Sequence, residues 1–492
     1  MMRSLYSGVS GLRVHQTKMD VIGNNIANVN TIGFKASTVQ FSDVFYQTTQ
    51  SASGANEQTG LAGMNAKQIG LGTTLASISA AMSTQGGAQR TDNATDIMIT
   101  GNSFFVVNNG AGNYFTKNGS FTIDGAGYLA TETGYYVMGW SPDTDNPNKI
   151  KQNTVDKIAI QTPDNATTPP ESTTDVTLKG NIDKTDSDLT GKGYVITSEI
   201  FDNLGNAYTV KFKLTAPTGT TASAVNTYKM DLVDVTDKDG KSALYNATSN
   251  AGGVIKTVAY GGVTYTVGDD GKGTGTGDSN VVRFDAATGA FIGTGSTAVT
   301  PETTTLNLVI TSDSDKPAAG TGATATPKVP LFGDKDGTIK FDCSTITQYS
   351  TTGACSISGS KGSLQNTGAG KKVGNLSGIS IQADGKIYGS YDNGTSKLLG
   401  QIAVATFSNP AGLEAIGGSL FSATQNSGEF DGKGVDVTAD GGKFSTGVVE
   451  MSNVDLSAEF TSMITTQRGF QANSRIITTS DTLLEELINL KR

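Results

Sequence analysis

Histidine and tryptophan each occur once in this chain of 492 residues, and cysteine occurs twice. The lone His15 excludes an HExxH zinc site and leaves no histidine for a Ser-His-Asp triad elsewhere on the chain. Two cysteines, Cys343 and Cys355, are too few for a disulfide framework or a multi-cysteine zinc site. They read either as two plain thiols or as one local bridge. No run of about 18 apolar residues is present, so nothing reads as a membrane span. The start, MMRSLYSGVSGLRVHQ, has no continuous apolar core and no small-x-small cleavage site. It is therefore not expected to be a secretory signal peptide. Charged residues make up 16% of the chain, against about 25% in average domains. The net charge of −9, with no cluster of Lys or Arg, argues against a nucleic-acid partner.

Glycine (62 residues), Thr, Ser, Asn and Asp fill the gap. With only 11 prolines, that composition predicts short strands joined by tight turns, a mainly β fold in several domains. Strands are expected at Phe104–Val107, Tyr114–Thr116, Phe121–Ile123, Tyr128–Leu129 and Tyr135–Trp140, with Asp124–Gly127 as a tight turn. Residues 194–215 read as two alternating strands around the turn DNLGN. Further strand-like runs lie at 228–235, 253–268, 280–284, 305–312, 378–391 and 401–407. Loops are expected at 270–279 and 318–327. Polar, proline-containing text at 141–175 and glycine-rich text at 365–378 mark two boundaries.

The two ends differ from this middle. Leu5, Leu12, Met19 and Ile26 recur every seven residues, and so do Leu456, Met463, Phe470, Ile477 and Leu484. Such stripes belong to helices that seek a partner helix, and they predict a terminal pair of the coiled-coil kind. The neighbouring C-terminal line, Phe460, Gln467, Ser474, Asp481 and Ile488, is half polar. Gly8, Gly11, Gly23 and Gly469 each cost about 1 kcal/mol relative to alanine inside a helix. Ordering the backbone costs about 1–2 kcal/mol per residue. One narrow stripe does not offset that in an isolated helix, so the ends are expected to gain order on assembly. On the stripes alone, a helix pair docked on its own domain is the simpler alternative.

The resulting organisation is an N-terminal helix (1–30), an extended or irregular connector (31–75), and a discontinuous β domain (76–165 with 371–448). One or two outer β domains (166–370) are inserted into it, and a C-terminal helix (449–492) follows. A chain that leaves and returns in this way is expected to be elongated.

No catalytic, cofactor or metal site is expected. Gly240-Lys241-Ser242 imitates the end of a phosphate loop, but Val235 stands where the first glycine is needed. The two Asp-Lys-Asp-Gly stretches (237–240 and 334–337) lack the first ligand and the final glutamate of a calcium loop and read as hairpin turns. Asp/Glu pairs abound, which leaves a two-carboxylate glycosidase open, but nothing raises it above background, and a single tryptophan, Trp140, argues mildly against a sugar-stacking cleft.

Residues 7–35, SGVSGLRVHQTKMDVIGNNIANVNTIGFK, closely resemble the N-terminal signature of the flagellar rod and hook family. The matching positions include Ser10, Gly11, Leu12, Met19, Asp20, Asn24, Asn25, Ile26, Ala27, Asn28, Asn30, Thr31, Gly33, Phe34 and Lys35. Residues 449–490 resemble the family's C-terminal helix, and 409–428 resemble the approach to it. Within the family, residues 101–140 and 197–214 resemble hook-type β domains, whereas 216–370 match nothing nameable. The resemblance implies a structural, non-enzymatic subunit of the extracellular flagellum. It implies export without a cleaved signal peptide and polymerisation into a curved helical tube that couples motor torque to the filament. The partners implied are the chain itself, the hook cap protein, the distal rod protein, the hook–filament junction protein and the flagellar type III export apparatus. The stripe residues, with Asn24, Asn25 and Asn28, then become candidate assembly contacts. A rod paralogue is the alternative within the family. An adhesin or hydrolase carried by the middle β block is the alternative outside it.

Overall fold

The computed structural model describes residues 2–54, 60, 62–216, 225–246, 251–252, 255–267, 273–275, 279–295, 303–312, 331–350 and 353–490. The chain divides into two compact units. Unit 1 comprises 1–166, 377–390 and 396–492, and unit 2 comprises 167–376 with 391–395. Among the described residues, no helix is long and apolar enough to cross a membrane.

Unit 1 is built by both flanks of the chain. Strands β5 (Ala88–Arg90) and β6 (Ile97–Thr100) pair antiparallel with Val448–Glu450 and Lys443–Thr446. Strand β7 (Phe104–Asn108) lies between Val404–Ala405, β8 (Asn113–Thr116) and β11 (Tyr136–Trp140). β8 pairs in turn with Leu420–Ser422. The run FFVV in β7 is apolar without alternation because both faces of that strand are covered. Phe105 packs edge-on against Phe121 at 4.8 Å and stacks on Phe444 at 5.8 Å. Phe104, on the other face, meets Phe407 and Phe421. Burying each such side chain contributes roughly 1.5–3 kcal/mol. Between β9 (Phe121–Ile123) and β10 (Leu129–Thr131), Asp124 accepts from the N–H groups of Ala126 and Tyr128, and Gly127 takes φ +85°. That is the tight turn its Asp-Gly-Ala-Gly sequence predicts.

Unit 2 packs two sheets over one core. The five-stranded sheet runs Tyr194–Phe201, Ala207–Thr215, Val225–Asp237, Val281–Asp285, Phe291–Thr294. The seven-stranded sheet includes Ile255–Tyr260, Thr305–Ser312, Thr338–Thr347 and Asp175–Asn181. Strict alternation in AYTVKFKLT turns Tyr208, Val210, Phe212 and Leu214 inward. Phe212 then meets Tyr260 at 4.6 Å and Phe341 at 4.9 Å, both from the opposite sheet. The predicted DNLGN turn closes through Asp202, which accepts from Leu204 N and Asn206 N. Both Asp-Lys-Asp-Gly stretches are tight turns closed by their first aspartate; the first is a hairpin turn, bridged by Thr236 and Ser242, and the second leads from bends into the strand Thr338–Thr347. Asp237 accepts from Asp239 N and Lys241 N, and Asp334 from Asp336 N and Thr338 N. Cys343 and Cys355 are buried free thiols, so no bridge joins them. Burial holds Cys355 up at about 11 and Cys343 higher still. The loop expected at 318–327 lies outside the described residues. Within 270–279, Gly273–Gly275 is a strand rather than a loop.

Two segments differ from expectation. Among the described residues of 31–75, where an extended or irregular connector is expected, four segments form strands with partners. β1 (Ser37–Asp43) pairs with β4 (Thr73–Ala80), and β2 (Tyr46–Gln50) pairs with β3 (Lys67–Gly70), giving a two-stranded arm of nested antiparallel pairs. None of the side chains in these four strands is fully buried, so their sequence lacks the strong buried/polar alternation that signals a strand. The C-terminal helix begins at Leu456 rather than 449. Asp455 caps it, accepting from Ser457 N and Ala458 N, while the preceding Val448–Glu450 is held as a strand by β5.

Candidate assembly interface

Helix α1 (Met2–Ala27) and helix α2 (Leu456–Asn489) lie side by side within unit 1. A Cβ placed on Gly8 would sit 3.2 Å from Ile477, one on Gly11 would sit 2.7 Å from Asn473, and one on Gly469 would sit 2.8 Å from His15. Asn25 donates to Glu459 Oε1 at 2.9 Å. Numbers rise along α1 as they fall along α2, so the helices run antiparallel. Along this line α1 presents Gly8, Gly11, His15 and Asn25 to Ile477, Asn473, Gly469 and Glu459, and the buried Ile22 shares that helical face. Glycine there serves close approach of the two backbones.

The stripe residues flank that line. Leu5, Leu12, Met19, Ile26 and Asn28 are half-buried, as are Met463, Phe470, Ile477 and Leu484. Leu456 and Asn24 are exposed, and Asn25 is buried. The structure brings Asn25 and Ile477 to helix–helix contacts and leaves Leu456 and Asn24 exposed. Phe460, Ile464, Leu483 and Leu487 are each about half exposed (50%, 53%, 48% and 50%). The pair therefore keeps unpartnered apolar surface after its helices have packed on each other.

Helix α1 also meets the arm, with His15 touching both α2 and the arm. Thr73 N donates to Ser10 Oγ, His15 packs edge-on against Phe41 at 5.9 Å, and the Lys18 ammonium lies 5.7 Å from the same ring. Burial, with Lys18 second, lowers the His15 pKa below its ordinary value.

The signature NTIGFK ties the helices to the β layers. Gly33 has φ +69°, and a Cβ there would lie 2.6 Å from Asn118 N. Gly33 N donates to Glu450 O at 2.8 Å. Lys35 Nζ reaches Glu450 Oε1 at 2.8 Å and also donates to Thr84 O at 2.7 Å. Gly86 N donates to the same Glu450 oxygen. Asn453 accepts from Ala36 N and donates to Ala81 O and Thr84 O. Asn25 exchanges two hydrogen bonds with the Ser37 backbone. Nearby, Lys117 donates to Gly101 O and lies 5.0 Å from the centre of the Phe104 ring. Burial lowers its pKa to about 8. Glu450 opposes that shift and Lys35 adds to it.

Glu450, Glu459, Asn453 and Lys117 were missing from the sequence-level candidates. A buried acid that pairs with a lysine 415 positions earlier leaves no periodic signal. The nearest available clue was an ionisable residue, Glu450, beside apolar Val448, Val449 and Met451.

Three family models match this chain: "Flagella basal body rod protein" over 5–35, "Flagellar hook protein FlgE/F/G D1 domain" over 98–183, and "Flagellar basal body rod FlgEFG protein C-terminal" over 445–490. The first and last cover the helices and the junction just described. The chain is 34% identical to the flagellar hook protein FlgE of Borreliella burgdorferi and 33% identical to that of Treponema pallidum, with 100% of each chain covered. It is 29% identical to the Salmonella typhimurium hook protein FlgE over 99% of this chain and 100% of that one. With both flanks joined in one β unit, antiparallel terminal helices, and full-length identity above 30%, the chain belongs to the flagellar hook protein family.

Proposed function

We propose that the chain polymerises, through its terminal helices, into the curved helical tube of the flagellar hook and passes motor torque to the filament. It is a structural protein and not an enzyme. The observation that carries the proposal is the apolar surface still open on α1 and α2 after they have packed on each other. In a tube, neighbouring copies cover that surface, and the helices gain order as it is buried. The half-buried stripes, with Asn24, Asn25 and Asn28, supply contacts between copies or set the helices' approach. Residues 166–370 form the inserted outer layer, whose polar contacts slide as the tube bends. Subunits leave the cell through the flagellar type III export apparatus and add beneath the hook cap protein. The assembled tube meets the distal rod protein at one end and the hook–filament junction protein at the other.

Deleting 2–30 tests this. The two β units should still fold, and the protein should form no tubes at high concentration. Normal fibres from the truncated chain in living cells defeat the proposal. A deletion strain imaged by electron microscopy should lose the hook and keep the rod. Loss of the rod would instead mark a rod paralogue.

A further inference from the structure

Helix α2 outruns helix α1. Gly8 lies beside Ile477, so six residues back along α1, at Met2, the facing position on α2 is near Leu483. Leu483–Asn489 therefore extends beyond the start of α1 by about 10 Å, at about 1.5 Å rise per residue. Leu483, Glu486, Leu487 and Leu490 recur at the spacing of one helical face. The three leucines are 48%, 50% and 84% exposed. Glu485 and Glu486 place two carboxylates on this end, ahead of Lys491 and Arg492 at the end of the sequence.

On the side of α1 away from α2, a groove of about 510 Å³ runs between the helix and the arm. Tyr6, Val9 and Arg13 line it from α1, and Val44, Thr73 and Leu75 from the arm. Arg13 is its one charged lining residue among those described. The helical wall runs from Tyr6 to Thr17, about 16 Å at the same rise, which is long enough to seat the overhang. The chain's own overhang runs past the start of α1 and cannot reach the groove on its far side.

We infer that the projecting end of α2 in one copy seats in the α1–arm groove of the next, Leu483 and Leu487 on Tyr6, Val9 and Leu75, with Glu486 against Arg13. This rests on the self-assembly proposed above and names the contact that carries it along the tube. The two surfaces differ, so the contact is head-to-tail and leaves a free groove and a free overhang after every addition. Such contacts propagate into open helical polymers. Charge complementarity sets the register, because like charges brought together in such a contact cost several kcal/mol.

The test is a charge exchange read by sedimentation of polymer. Arg13→Glu alone and Glu486→Arg alone should each raise the critical concentration about tenfold or more. The double variant R13E/E486R should polymerise like wild type. An equal mixture of the two single variants should also polymerise, because each overhang then meets a groove of opposite sign on the other variant. Single variants that polymerise normally overturn the inference. So do single variants that fail and are rescued neither by the mixture nor by the double variant. A wild-type chain that forms no polymer would instead defeat the self-assembly reading itself. As a second readout, Val9→Cys/Leu487→Cys oxidised in the polymer should give a ladder of covalent oligomers. The native thiols are buried and should stay out of the reaction. A product that stops at dimers shows symmetric pairing and overturns the head-to-tail contact.

Discussion

Replacing Lys35 with methionine should destabilise unit 1 far more than any change on its surface. The Lys35 and Glu450 side chains are 2% and 1% exposed, with Nζ and Oε1 2.8 Å apart. Lys35→Met leaves a buried carboxylate whose remaining hydrogen bond comes from Gly86 N, while its other oxygen has no partner. Breaking a buried pair from one side costs about 3–5 kcal/mol. Glu450→Leu leaves the ammonium held by Thr84 O and should cost a similar amount. The double variant K35M/E450L removes both charges. It still strands Thr84 O and Gly86 N–H, at about 1–3 kcal/mol each, but gains apolar contact in their place. The double should therefore be at least about 3 kcal/mol more stable than the sum of the singles predicts. The chain's one tryptophan, Trp140, is buried in unit 1, so its fluorescence follows that unit's urea transition without interference from unit 2. If the two single effects add to within about 0.5 kcal/mol in the double, the residues are not coupled and the clasp is not what joins the termini to the β layers.

Two further outcomes follow from the same junction and from the helix line. The Lys117 pKa is lowered from 10.5 to about 8, so between those values the unfolded chain binds a proton that the folded chain does not. Unit 1 should therefore gain stability as pH rises from 8 towards 9.5, out of a total of about 3 kcal/mol available by 10.5. Lys117→Met should flatten that rise in Trp140-monitored unfolding; an unchanged slope refutes the assignment. Along α1, Gly23→Ala meets nothing within 4 Å and should stabilise the helix by up to about 1 kcal/mol. Gly11→Val, facing Asn473, should push the helices apart and weaken polymer formation. Equal effects of the two substitutions on polymer melting would show that glycine is not used there for close approach.

Where the residues carried their own periodicity, the fold was legible. Alternation in 194–215 located two strands, their faces and the turn between them, because each residue's burial depends on its neighbours two positions away. The Asp-Gly turns were legible because the aspartate closes the turn on its own backbone. The paired strands within 37–50 and 67–80 were not, since none of their side chains is fully buried and the apolar alternation is weak. The heptad stripes correctly signalled two helices. They did not signal that Gly8, Gly11 and Gly469 lie against the partner helix, beside the stripe member Ile477. Small residues there admit close approach of the partner helix.

The linear order of residues thus settled what local chemistry settles: two terminal helices, a mainly β interior, and turns closed by aspartate and glycine. Folding decided what depends on residues hundreds of positions apart. It paired Lys35 with Glu450, set α1 antiparallel to α2, and left the end of α2 projecting past its partner. Those outcomes follow from which surfaces exclude water together, and no segment carries that information until its partner is beside it.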